Sequence, residues 1–184
     1  MRSNPLAKHS VAGAALAPHW FRLFAILLLL TISRIAPLRA QSEGATVGTR
    51  APVVMVSDLS GKMVRVGHVQ GKRAAVIEFW ATWCELCKEL LPRVRAAQQR
   101  FGDRVDFYGV NVTVNESKAR VQRYVTREKP PWVTLYDERG VAVRAFKAPA
   151  TSYVVIVDRD GMIRYVGSGG TQDLAAELAK VVGQ

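Results

Sequence analysis

From Ala74 to Trp80 the chain reads Ala-Ala-Val-Ile-Glu-Phe-Trp, apolar everywhere except Glu78, which is the pattern of a strand buried on both faces. Two shorter β-rich stretches, Val53 to Val56 and Met63 to Val66, flank Asp58-Leu59-Ser60-Gly61 and predict a hairpin closing on glycine. Beyond Glu85 the period becomes helical as far as Phe101. Leu86, Leu90, Leu91, Val94 and Ala97 lie on one side, and Pro92 predicts a kink or a break. Val105 to Val114 is again β-rich, and Ser117 to Arg127 predicts a helix packed through Ala119, Val121 and Tyr124. After Pro130-Pro131 a mixed segment to Lys147 carries no clear period. A second hairpin follows, Tyr153 to Val157 and Met162 to Val166 across Asp158-Arg159-Asp160-Gly161. The last helix, Asp173 to Val182, packs through Leu174, Leu178 and Val181, with Thr171 as its expected cap. Strand and helix alternate, so the class is α/β.

The first forty residues do not belong to this pattern. Leu23 to Ile32 is nearly all apolar and follows Arg2, Lys8 and Arg22. A bilayer span needs ~20 such residues, and Arg34 and Arg39 cut this run short, so it suits the core of a signal peptide. Leu38-Arg39-Ala40 places a small residue just before Gln41; an uncleaved N-terminal membrane anchor is the alternative. The expected organisation is a signal peptide or anchor over 1–40, a small polar linker over 41–50, and one domain over 51–184. An extracytoplasmic location, the periplasm, follows from it.

The chain has 184 residues, 49% of them apolar, which suits one core. Its formal charge of +11 is less telling than it looks, because five basic residues and no acid fall in the first forty positions. The remaining excess is scattered rather than gathered in a run, as on a solvated surface, so no nucleic-acid partner is expected. A monomer is expected.

Only two cysteines occur, Cys84 and Cys87, placed between the buried strand and the long helix. A structural zinc site would need two further Cys or His ligands. Outside the export segment the chain offers only His68, so no metal is expected. A structural disulfide would close too small a loop to restrict the unfolded chain much. A redox pair accounts for more: at a helix N-terminus the free N–H groups and the helix dipole stabilise a thiolate on Cys84. Cys84 is then the exposed attacking thiol. Cys87, one turn further in and buried, resolves the mixed disulfide. Glu85 sets a negative charge beside the nucleophile, which opposes the thiolate and favours a reductant.

Glu78-Phe79-Trp80-Ala81-Thr82-Trp83-Cys84-Glu85-Leu86-Cys87-Lys88, with Pro92 following, resembles the active-site region of TlpA/ResA-like thioredoxins. The likeness runs from Ala51-Pro52 through Leu59-Ser60-Gly61-Lys62 and the second hairpin to the last helix. It implies a thioredoxin fold: a central mixed sheet flanked by helices, here with an N-terminal β-hairpin extension. It implies an extracytoplasmic thiol-disulfide oxidoreductase with no cofactor. Its partners would be disulfide-containing exported proteins, apocytochrome c among them, and a membrane-embedded thiol reductant. The resemblance places Glu78 behind the redox pair as a buried carboxyl that accepts the Cys87 proton, and Trp80 and Trp83 as walls of the site. Substrate would meet Trp83, Glu85, Leu86 and the Thr151-Ser152 corner, where Ser152 stands at the position of the family's cis-proline. Leu90 departs from relatives that carry an acid there. A peroxiredoxin-like peroxidase is the alternative enzyme, though Ala81 replaces the Thr expected three residues before the first Cys; a copper carrier using Cys84, Cys87 and His68 is the non-enzymatic one.

Overall fold

The computed structural model describes residues 44–67 and 73–183; the expected signal segment and His68 lie outside the described residues. Seven strands form one sheet: β1 (Val54–Asp58), β2 (Met63–Val66), β3 (Ala74–Trp80), β4 (Val105–Val112), β5 (Val133–Asp137), β6 (Tyr153–Val157) and β7 (Ile163–Ser168). Among the described residues four helices accompany them: α1 (Glu85–Phe101), α2 (Lys118–Glu128), α3 (Val141–Ala145) and α4 (Leu174–Val182). The strand order is β2-β1-β5-β4-β3-β6-β7. Strands β3, β4 and β5 run parallel, and β6 returns antiparallel beside β3. The sheet is therefore mixed and flanked by helices. The N-terminal hairpin joins it at the free edge of β5.

All seven residues of β3 are buried, as its unbroken apolar run predicts. Pleating sends Ala75, Ile77 and Phe79 to a core shared with α3, and Ala74, Val76 and Trp80 to the face covered by α1, α2 and α4. Burying each such Val, Ile or Phe stabilises the fold by roughly 1.5–3 kcal/mol. Glu78 points to that second face.

Several local expectations need correction. Helix α1 continues unbroken through Pro92, and its buried side is Cys87, Leu90, Leu91, Val94, Ala97 and Phe101. Leu86 is 51% exposed and leaves the packing stripe. In α2 the inward residues are Val121 and Tyr124, one turn apart, while Ala119 faces solvent. The α4 cap is Asp173, whose side chain accepts the Ala176 N–H; Thr171 lies too far upstream to reach the first turn. The segment after Pro131 contains both β5 and α3. There the buried Asp137 carboxylate accepts the N–H groups of Val141 and Val143 at 2.7 and 3.0 Å, which fixes a five-residue helix that its own propensity would not hold.

Residues 44–50, expected as linker, are fastened to the domain. Ala45 N–H donates to the Tyr153 hydroxyl at 2.7 Å, Gly48 N–H to the Ile163 carbonyl and Ile163 N–H to the Thr49 carbonyl, both at 2.8 Å.

Candidate active site

Strand β3 ends on Trp80, and the turn Ala81-Thr82-Trp83 delivers the chain to the start of α1. Cys84 is the N-cap of that helix, with extended backbone at φ −82° and ψ 109°, and its sulfur accepts the Cys87 N–H at 3.1 Å. A disulfide joins Cys84 to Cys87, their Cα atoms 5.3 Å apart. The expectation of one exposed and one buried cysteine is not met in this disulfide form, where Cys84 is 5% and Cys87 3% exposed. What distinguishes them is the helix end. The Cys84 sulfur already receives a backbone N–H at the positive pole of α1, where a thiolate is stabilised.

The turn is held from the loop between β4 and α2. The Glu116 carboxylate accepts the Thr82 hydroxyl at 2.6 Å, the Thr82 N–H at 3.4 Å and the Asn111 amide at 3.2 Å. Its side chain is fully buried, with Arg120 Nη1 at 3.8 Å. The Trp83 indole N–H donates to the Val114 carbonyl at 2.9 Å, and the Asn111 amide also reaches the Trp80 carbonyl. The sequence reading missed Glu116 and Asn111. Both lie about thirty residues from the cysteines, and only the pairing of β3 with β4 brings them to the turn.

Glu78 is 1% exposed, and neither carboxylate oxygen has a hydrogen-bond partner among the described residues. Burial alone pushes its pKa up to about 8. It shares its sheet face with Trp80, which packs in one cluster with Cys84, Cys87, Val121 and Tyr124. Trp80 stacks at a tilt on Tyr124 and Trp132, with ring centroids 5.1 and 5.6 Å away, so it is a buried wall. Trp83 is an open one, at 44% exposure.

Of the other predicted contact residues, Leu86 and Glu85 are exposed beside the disulfide, and Glu85 is paired with Lys88 at 2.6 Å. That lysine offsets the charge through which Glu85 was expected to oppose a thiolate. Ser152 lies level with Trp80, next to the Phe79 and Tyr153 pair of β3 and β6. It is fully buried, with φ +60° and its hydroxyl unpartnered, and its carbonyl accepts from Gly169 N–H and the Gln172 amide. At this corner the Ser152 side chain is closed off, while the neighbouring Thr151 is half-buried. Among the described residues no group of three or more His, Cys, Asp or Glu is placed to hold a metal ion.

The sequence model of the Redoxin family matches residues 46–182. Thioredoxin-like protein YneN of Bacillus subtilis is 28% identical over 139 residues, 73% of this chain and 80% of its own length. Thiol-disulfide oxidoreductase ResA of Bacillus cereus is 22% identical over 170 residues, covering 87% of this chain and 95% of the relative. A putative thiol:disulfide interchange protein DsbE from Chlorobium tepidum has the same fold, with a TM-score of 0.65 at 16% identity over 75% of this chain and 96% of that one.

Proposed function

Since the chain belongs to the Redoxin family and is a protein thiol-disulfide oxidoreductase of the ResA type, we propose that its Cys84/Cys87 dithiol reduces disulfides in proteins outside the cytoplasm. The observation that carries this is the Cys84 sulfur seated as the N-cap of α1, accepting the Cys87 N–H.

The Cys84 thiolate attacks one sulfur of a substrate disulfide, forming a mixed disulfide and expelling the other sulfur as a thiolate that takes a proton from water. Cys87 then gives its proton to Glu78 and attacks the Cys84 sulfur. The second substrate sulfur leaves as a thiolate that takes a proton from water, and two electrons have passed from the dithiol to the substrate. Glu78 suits the task because its raised pKa matches that of a thiol, so the proton moves without a large mismatch. Trp83, Leu86 and Thr151 form the rim on which substrate rests, with Glu85 and Ser152 at its margins.

The enzyme disulfide is then reduced by a membrane-embedded thiol reductant, and the substrates are exported cysteine proteins, apocytochrome c among them. Support for export is the apolar run Leu23 to Ile32 behind three basic residues. The test is trapping with Cys87→Ser, which should accumulate a covalent, thiol-reversible adduct through Cys84 with an extracytoplasmic protein. Adducts confined to cytoplasmic proteins would contradict the location. No adduct at all, from a variant that folds, would contradict the role of Cys84.

A further inference from the structure

Buried polar atoms on one face of the sheet lack hydrogen-bond partners among the described residues, among them both Glu78 carboxylate oxygens, the Trp80 and Trp132 indole Nε1 atoms, and the Thr134 hydroxyl. Strand register explains why they meet. Glu78 pairs with Gly109 in β4, and Gly109 pairs with Thr134 in β5, so the three stand in one row across the sheet. Residues in such a row point to the same face, about 4.8 Å apart from strand to strand. Gly109 contributes no side chain in the middle of the row, and Trp132 fills the space: a Cβ on Gly109 would overlap the Trp132 Nε1. The indole N–H thus lies over the residue between Glu78 and Thr134, about one strand spacing from each.

Buried polar groups normally find partners, and a buried water typically makes about three hydrogen bonds. A carboxyl, an indole N–H and a hydroxyl supply that number. We propose that Trp132 is a positioning residue for the exchange reaction, its indole N–H joined with the Thr134 hydroxyl through one buried water to the carboxyl of Glu78, steadying the ionised form of that group. The inference rests on the reading of Glu78 as the Cys87 proton acceptor and deepens it. When the Cys87 proton moves to Glu78 no net charge is created in the pocket. When Glu78 later releases the proton, the indole and hydroxyl dipoles carry the negative charge that remains. Hydrogen bonds to the charged form favour it, so Trp132 opposes the desolvation that raises the Glu78 pKa.

Other titratable groups near this face are few. From α1 come Cys84 and Cys87, bonded to each other. From α2 comes Tyr124, whose phenol is raised by its own burial first, then by Glu128 and by Glu78, and is lowered by Arg127 and by Arg95 of α1. From β5 comes Tyr136, whose ring packs in the Trp80 cluster, and from β7 Tyr165, whose phenol is raised by its own burial first and then by Glu177; the β6 residue paired with Glu78 is Val154. In the disulfide form the cysteines do not titrate, which removes them from the Glu78 curve.

The test uses the oxidised protein, labelled with 15N at indoles and 13C at carboxyls, across pH 6 to 10. The Trp132 indole resonance, identified by its loss in Trp132→Phe, should shift with the same midpoint as the Glu78 carboxyl and stay flat in Glu78→Gln. Trp132→Phe keeps a ring over Gly109 but loses the donor, and should raise the Glu78 midpoint by about one pH unit, a tenfold change in its ionisation constant. Thr134→Val should raise it by less. An indole that stays flat in the wild type while Glu78 titrates, or a midpoint unmoved by Trp132→Phe, overturns the proposal. So does a titration seen on the Trp80 indole alone. Stopped-flow release of a Cys84 mixed disulfide separates the two readings. If Glu78→Gln leaves release unchanged while the resonances behave as stated, the hydrogen bond stands and the proton-acceptor role falls.

Discussion

Glu78 interrupts an otherwise apolar strand, and that interruption made it visible in the sequence; its two unpartnered oxygens and its distance from solvent come from the fold. With a pKa of about 8 in the fold against an ordinary value of 4.5, the folded chain holds a proton between those values that the unfolded chain has released. The stability this confers is complete below pH 4.5 and gone above about pH 8. Across that window it falls by up to about 1.4 kcal/mol per pH unit. Glu78→Gln does not titrate, so urea midpoints of the oxidised proteins should show the variant gaining on the wild type as pH rises from 5 to 9. Parallel curves would mean that Glu78 is not held protonated. In the same variant, release of a preformed Cys84 mixed disulfide near pH 7 should slow by the ~10² typical of a lost proton-transfer group, and the gap should close toward pH 10. Equal rates at every pH would make Glu78 structural. Glu116 is a different case: in Val114-Asn115-Glu116-Ser117 it looks like any loop acid, and no local pattern tells that the fold will bury it against Thr82.

Strands and helices with a strong period were legible to within a residue or two, β3 and α1 at their observed bounds, because burial on both faces of a strand and on one face of a helix leaves different spacings. β5 and α3 were not. Val-Thr-Leu-Tyr-Asp is short and unevenly buried, and α3 depends on a carboxylate cap from Asp137 rather than on its own residues. The corner before β6 was located correctly, yet its shape could not be foreseen, since Ser152 adopts a left-handed backbone that a serine sequence does not announce. Installing the family's proline there is expected to harm. Proline needs φ near −65°, so Ser152→Pro meets a φ of +60° and should cost more than about 1 kcal/mol unless the corner rebuilds. Ser152→Gly removes the left-handed penalty and an unpartnered buried hydroxyl, and should raise stability by about 1 kcal/mol after its own entropic cost. Thermal unfolding of the two variants checks this; a stabilising proline would show that the corner is not held as described.

At the scale of the molecule, the mixed sheet sets its chemistry at the C-terminal end of β3, where the dithiol, the Glu116 anchor and the Ser152 corner converge. Residues 44–50 are hydrogen-bonded along the β7 side, so the folded unit takes in most of the segment that its polar composition marked as a linker. The exported form should start near Gln41, just ahead of that fastened segment. Cell fractionation with N-terminal sequencing would show it, and a full-length cytoplasmic product would contradict it. The central claim is that Cys84 attacks and Cys87 resolves, and insulin reduction reads both steps. Driven by dithiothreitol, the wild type should accelerate precipitation of the insulin B chain and Cys84→Ser should be inert, while Cys87→Ser, reduced beforehand and freed of dithiothreitol, should stop after one equivalent as a mixed disulfide on Cys84. Turnover that persists in Cys84→Ser, or an adduct found on Cys87 in its place, would contradict the account.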